Sequence, residues 1–173
     1  MLYGMNIHIN MKGFIKVLLR EEFNRQAFLK WKRDNVTYRG IKELGKANEV
    51  YGSFGKGLYT TPLSNKSMAK SYGKLYYVVG GKPKNPMIVS DLNRAEILRQ
   101  TLVNDFCEEH GRGYDTSFFE QHTSMDKELM KKGYDGLVIK GREMVNYEPD
   151  NDEIRYFEND NQLEMYYEYL MKK

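Results

Sequence analysis

The chain is poor in the residues that build covalent or metal-stapled folds. It has one cysteine, four prolines, one tryptophan and three histidines in 173 residues. A single cysteine excludes an intramolecular disulfide and any Cys-based zinc site. Cys107 falls within a helical pattern and reads as a small core residue rather than a nucleophile, which suits a reducing cytoplasm. His110 and His122 have no companion ligands at metal spacing, so no metal is expected. No apolar run approaches the roughly 20 residues that a membrane span needs. Met1 to Met11 lacks a charged start followed by a continuous apolar region, so the expectation is a cytoplasmic chain without a signal peptide or a membrane partner. Repeats, low-complexity tracts and linkers are also missing.

What is present is a globular composition, 40% hydrophobic and 29% charged. The length fits one domain, residues 1–173, with one real core. The net charge of +3 hides a polarity. Residues 1–84 hold 16 Lys/Arg against 5 Asp/Glu, and residues 85–173 hold 11 against 19. A basic half steers anionic ligands, whether dinucleotide or nucleic acid.

Periodicity orders the elements. Lys12 to Asp34 is predicted as a helix, with Phe14, Val17, Leu18, Phe23, Ala27, Phe28 and Trp31 on one face and a basic opposite face. This gives an N-terminal helical region over 1–35. Val36 to Gly40 and Lys74 to Val79 read as strands, as do Met87–Val89, Leu137–Ile139, Glu143–Tyr147 and Ile154–Phe157. Asn93 to Glu109 and Ser117 to Lys132 read as helices, together a packed insert over 93–132. A final helix is predicted over 161–173.

The stretch with most chemical content is Gly55-Lys56-Gly57-Leu58-Tyr59-Thr60-Thr61. Its glycines permit a sharp turn and close approach of a ligand to the backbone. Leu58 to Thr61 reads as a strand that Pro62 stops. Ser64 is the expected N-cap of a helix running to Tyr72 and closed by Gly73. A strand end, an aromatic and a helix N-terminus this close together can wall an anion-binding cleft. The stretch is not a P-loop, because the Gly-Lys-Ser/Thr ending that cradles phosphate is absent. Upstream, Tyr38-Arg39-Gly40 offers a planar cationic fork beside a reachable backbone.

Taken in order, Tyr38-Arg39-Gly40, then Gly55-Lys56-Gly57-Leu58-Tyr59 with Ser67, Ala69 and Tyr72, then Tyr134-Asp135-Gly136-Leu137-Val138 before a strand opening with Glu143, resemble the ADP-ribosyltransferase superfamily. The middle block is similar to the poly(ADP-ribose) polymerase version of the motif. The last block is similar to the catalytic-glutamate strand of that group and of small transferase domains of phage proteins. The resemblance covers residues 36 to 157 and is weak over 93–132.

That resemblance implies an α+β fold in which two small, mostly antiparallel sheets form a cleft for NAD, flanked by helices. It implies that Arg39 grips the adenosine-side ribose or phosphates and that Gly40 clamps the nicotinamide amide. Gly57 and Ser67 belong to the same implied NAD-binding set. Tyr59 and Tyr72 would hold the nicotinamide ring, and Thr60 or Thr61 would steady the strand end. Glu143 would bind the 2′-hydroxyl of the nicotinamide ribose as the catalytic residue, with Glu148 and Glu153 as alternatives.

The implied activity is mono-ADP-ribosyl transfer from NAD, with release of nicotinamide, to a macromolecular acceptor. A protein acceptor comes first, as for a phage or bacterial effector modifying its host, and nucleic acid second. Two departures bear on this. Arg39 stands where members with the Gly-Lys-Gly-aromatic block usually have histidine. Gly141 stands where arginine-modifying members carry a second glutamate, so arginine is not the expected acceptor and acceptor recognition falls to the 93–132 helices. Two other functions stay open: a non-catalytic NAD- or partner-binding module of the same fold, and a nucleic-acid-binding protein.

Overall fold

The computed structural model describes residues 24–42 and 50–173. The chain divides into two compact units, Met1–Asp34 and Asn35–Lys173. In the first, the described residues from 24 onward are helical (α1), and Phe28 and Trp31, three apart, stack at 6.2 Å. The earlier part of the helix expected over Lys12–Asp34 lies outside the described residues.

The second unit is α+β with two sheets. β1 (Val36–Ile41), β4 (Lys74–Val79) and β8 (Arg155–Phe157) form an antiparallel three-stranded sheet in the order β1-β4-β8. The second sheet has the order β2-β3-β7-β6-β5, from β2 (Val50–Gly52), β3 (Gly55–Thr60), β7 (Glu143–Asn146), β6 (Gly136–Ile139) and β5 (Pro86–Val89). Among the described residues its only parallel pair is β5 with β6. That connection needs a long crossover, which the helices α3 (Leu92–Glu109), α4 (Thr116–His122) and α5 (Met125–Lys131) provide. A 3₁₀ turn, Leu63–Asn65, leads into α2 (Lys66–Ser71), and α6 (Asp160–Met171) follows β8. No helix among the described residues is long and apolar enough to cross a membrane.

Side-chain caps satisfy a first-turn amide in α3, α4 and α6. The Asp91 carboxylate accepts from Arg94 N–H at 2.9 Å for α3, and Asp115 accepts from Phe118 N–H at 2.9 Å for α4. The Asn159 amide oxygen accepts from Gln162 N–H at 3.0 Å for α6. Each such cap is worth about 1 kcal/mol.

Two apolar layers hold the unit together. Leu58, Val78 and Ile154 pack where the two sheets meet. Reciprocal backbone hydrogen bonds of 2.8 Å between Tyr38 and Thr61 tie β1 to the residue just past β3. The larger core lies on the other face of the five-stranded sheet. There Leu137, Ile139 and Val145 pack with Ala95, Leu102, Val103, Phe106, Phe119 and Leu129 from α3, α4 and α5. The helices expected to be a packed insert over 93–132 therefore supply more than half of the main core.

Other boundaries also differ from the sequence reading. The helix expected over Ser117–Lys132 is two helices, broken at Thr123-Ser124, where Thr123 Oγ1 donates to Glu128 Oε1 at 2.6 Å. Ser64 is not a helix N-cap but sits inside the 3₁₀ turn, and α2 starts after Asn65. β3 begins at Gly55 rather than Leu58, because the preceding β2 forms a hairpin with it.

Candidate functional site

The strand register brings the key side chains together. Tyr59 on β3 lies opposite Val145 on β7. Side chains alternate along a strand, so Glu143, two residues before Val145, projects from the same sheet face as Tyr59. Arg39 reaches this group from the other sheet. Its Nη1 donates to the Tyr59 carbonyl at 2.6 Å, bridging β1 and β3. The joint between the sheets, rather than either sheet alone, thus carries the cationic fork.

At that joint opens a cavity of about 710 Å³, within the 300–1,000 Å³ range of small-molecule sites. Arg39 and Gly40 line it from β1, and Tyr59, Thr60 and Thr61 from β3 and its end. Tyr72 follows α2 at the rim, and Glu143 closes the far side beside Arg142. Gly40 is needed for packing as well as access: a Cβ there would collide with the Ala69 carbonyl oxygen of α2. The β2–β3 hairpin adds Tyr51, Gly52, Ser53 and Phe54, and α3 adds Leu92 and Glu96.

Tyr59 is fixed before any ligand arrives. Its hydroxyl accepts from Phe54 N–H at 3.1 Å and donates to the Gly55 carbonyl at 2.7 Å. Its ring lies so close to Gly52 that a Cβ there would sit 2.5 Å from Cζ. Tyr147 Oη donates to the Phe54 carbonyl at 3.1 Å and secures the same turn from β7's end. Burial pushes the phenols of Tyr59 and Tyr147 well above their ordinary values, so both remain protonated donors. Tyr59 therefore offers its ring to the cavity while its hydroxyl is committed to the hairpin.

The charged groups are held at an electrostatic cost. Arg39 is 6% exposed, and its Nε has no hydrogen-bond partner. Burial disfavours its charged form, an effect that Tyr156 partly offsets. Thr60 Oγ1 is likewise buried without a partner. Native proteins seldom leave such groups unsatisfied, and both belong to residues lining the cavity. Glu143 is 9% exposed, and burial raises its pKa above the ordinary 4.5, while a hydrogen bond and the charge of Arg142 oppose the rise. The Arg142 Nε to Glu143 Oε1 distance is 3.3 Å. Perturbed carboxylates in a cleft are enriched at functional sites.

Of the residues singled out from the sequence, Arg39, Gly40, Tyr59, Thr60, Thr61, Tyr72 and Glu143 converge on the cavity. Two do not. Gly57 packs against β7, where a Cβ would lie 2.5 Å from the Asn146 carbonyl oxygen, so it serves strand approach. Ser67 is exposed on the first turn of α2, its hydroxyl donating to Asn65 Oδ1 at 3.4 Å. Neither alternative carboxylate, Glu148 nor Glu153, lines the cavity. Sequence reasoning missed Tyr51, Gly52, Phe54, Glu96 and Arg142. For the hairpin residues a signal existed, since Val50-Tyr51 and Leu58-Tyr59 flank a glycine-containing turn.

The cavity brings a cationic side chain, Arg39, together with aromatic surface and the carboxylates of Glu96 and Glu143. A buried, incompletely bonded guanidinium can take phosphate or ribose oxygens. The Tyr59 ring and the exposed Tyr72 supply aromatic surface. Comparison with known protein-family models, with curated proteins and with solved structures returned no match for this chain.

Proposed function

We propose that the chain is a mono-ADP-ribosyltransferase that takes NAD as co-substrate and passes ADP-ribose to a macromolecular acceptor, a protein. The observation that carries the reading is the convergence of three sequence blocks, distant along the chain, on one dinucleotide-sized cavity. Arg39, Tyr59 and Glu143 come from different blocks and line the same space.

In this reading Arg39, which lines the cavity, holds the phosphate or adenosine-ribose oxygens through its guanidinium. Gly40 leaves its backbone open to the nicotinamide amide, and Tyr59 and Tyr72 flank the ring. Nicotinamide leaves as a neutral molecule from a cationic ring, so its departure needs no general acid. The bond from ribose C1′ to the ring nitrogen breaks with its electron pair going to nicotinamide, and positive charge develops on the ribose. Hydrogen bonds to the 2-hydroxyl strengthen as such an oxocarbenium-like state forms. Glu143, ionised, accepts that hydrogen bond and places negative charge beside the developing cation. One preorganised electrostatic group of this kind contributes about 3–4 kcal/mol to barrier lowering.

The test is incubation of the protein with isotopically labelled NAD and a mixed proteome, followed by mass spectrometry. ADP-ribose adducts on protein side chains, with stoichiometric free nicotinamide, are expected. Intact NAD after prolonged incubation, despite measurable NAD binding, would overturn the reading in favour of a non-catalytic module. Label recovered on nucleic acid alone would reassign the acceptor.

A further inference from the structure

The turn between β6 and β7 is built with more care than a three-residue connection requires. Gly141 adopts φ +70°, a left-handed conformation that side chains rarely take, although an added Cβ would meet nothing within 4 Å. The Arg142 amide donates to the Ile139 carbonyl at 3.1 Å. From across the fold, Asn65 Nδ2 donates to the carbonyls of Gly141 at 3.3 Å and Arg142 at 3.5 Å. The residue that opens α2 thereby clamps the turn that opens β7. The clamp fixes the Arg142 backbone, and its side chain lies along the cavity wall with Nε 3.3 Å from Glu143 Oε1. Arg142 is 44% exposed in its side chain against 11% for Glu143.

We propose that Arg142 is a positioning residue: held by the Asn65 clamp, its guanidinium pins Glu143 Oε1 and keeps the buried carboxylate ionised at the cavity wall, leaving Oε2 to meet a ligand hydroxyl. This rests on the transferase reading for its catalytic consequence but not for its electrostatic one. A carboxylate this buried favours its neutral form unless a cation compensates. The other charged or titratable residues lining the cavity are Tyr38, Arg39 and Lys42 from β1 and its end, Tyr51 from β2, Tyr59 from β3, Tyr72 after α2 and Glu96 from α3. Tyr59 and Glu96 do not favour ionisation, since Tyr59 stays a neutral phenol and Glu96 carries like charge. Arg39 makes no ion pair with Glu143 among the described residues, and Arg142 is the cation whose charge acts on the carboxylate. Among the described residues, only Arg142 lies within ion-pair distance of the carboxylate. The Arg142 side chain stays 44% exposed, so part of its hydration is kept while it stabilises the buried partner.

The experiment compares wild type with Arg142→Gln, which removes the charge, and Arg142→Lys, which keeps it. Two readouts are taken: the acid limb of the pH profile for nicotinamide release, and a direct titration of the Glu143 carboxyl by ¹³C NMR. Arg142→Gln is expected to move both to higher pH, lowering the rate on the acid limb up to about fivefold, the ceiling for a partly exposed ion pair. Arg142→Lys is expected to restore most of the shift. If the Glu143 titration of Arg142→Gln coincides with wild type, the proposal is wrong, whether or not the enzyme turns over. If wild type releases no nicotinamide while the titration shifts as expected, the transferase reading fails and the role of Arg142 stands. A shift that Arg142→Lys does not restore would also overturn the proposal, since charge would then not be its cause.

Discussion

Replacing Arg39 with methionine separates what the fold needs from what a ligand needs. The arginine makes one short charged hydrogen bond, Nη1 to the Tyr59 carbonyl at 2.6 Å. Bonds to charged groups contribute about 1.5–3 kcal/mol. Against this stands the burial of a guanidinium whose Nε has no partner, a cost of about 1–3 kcal/mol for an unsatisfied buried polar group. Methionine fills similar space without a charge to desolvate, so the two terms nearly cancel. The melting temperature is expected to stay within about 4 °C of wild type, the shift that roughly 1 kcal/mol produces in a chain of this size. NAD binding behaves differently. Loss of a charge-assisted contact to the dinucleotide costs about 1.5–3 kcal/mol, or roughly 10- to 150-fold in Kd. Thermal unfolding paired with isothermal titration calorimetry reads both quantities. Unchanged affinity, or a fall in melting temperature beyond about 10 °C, would show that Arg39 is a structural tie and refute the reasoning.

Further expectations follow from the hairpin and from Glu143. Gly52→Ala drives a methyl group into the Tyr59 ring, so it should destabilise by about 1–3 kcal/mol as overpacking and weaken NAD binding, read by denaturant titration and calorimetry. Tyr147→Phe removes the donor to the Phe54 carbonyl and should cost about 1–2 kcal/mol, with a greater protease sensitivity of the 53–55 turn. The raised pKa of Glu143 has a defined stability signature. The native state holds this proton more tightly than the unfolded chain, so the site's contribution to stability is fully present below pH 4.5 and is lost as pH rises through the folded-state value. Glu143→Gln should therefore unfold at a higher temperature than wild type at neutral pH, with the gap closing below pH 4.5. A gap that widens on acidification would contradict the assignment of burial as the dominant cause.

The strands were legible where their signal was local. Lys74–Val79 reads as a strand from its aromatic and β-branched residues, and it forms one with those bounds. The Tyr38-Arg39-Gly40 and Glu143 blocks could be placed on strands for the same reason. What the sequence could not display was which faces meet. The partnership of Glu143 with Tyr59 depends on the β3–β7 register, a pairing across more than 80 residues that no window contains. The role of α3 was hidden likewise: its apolar positions announce a buried face, but not that the face lies on the sheet bearing Glu143. The break between α4 and α5 did have a local signal. Thr123-Ser124, followed by acids at 126 and 128, is a helix-start pattern. Arg142 stayed invisible because an exposed turn arginine has many uses, and only its distance to a buried carboxylate distinguishes this one.

The account turns on the carboxylate of Glu143 acting where three separate chain segments meet. Its most direct test is the rate of nicotinamide release from NAD by wild type and Glu143→Gln, with NAD affinity measured on the same samples. The expected result is a rate loss of about 10²–10³, the scale of one preorganised transition-state group, at an affinity changed by no more than a few-fold. A Glu143→Gln protein that releases nicotinamide at the wild-type rate would contradict the account.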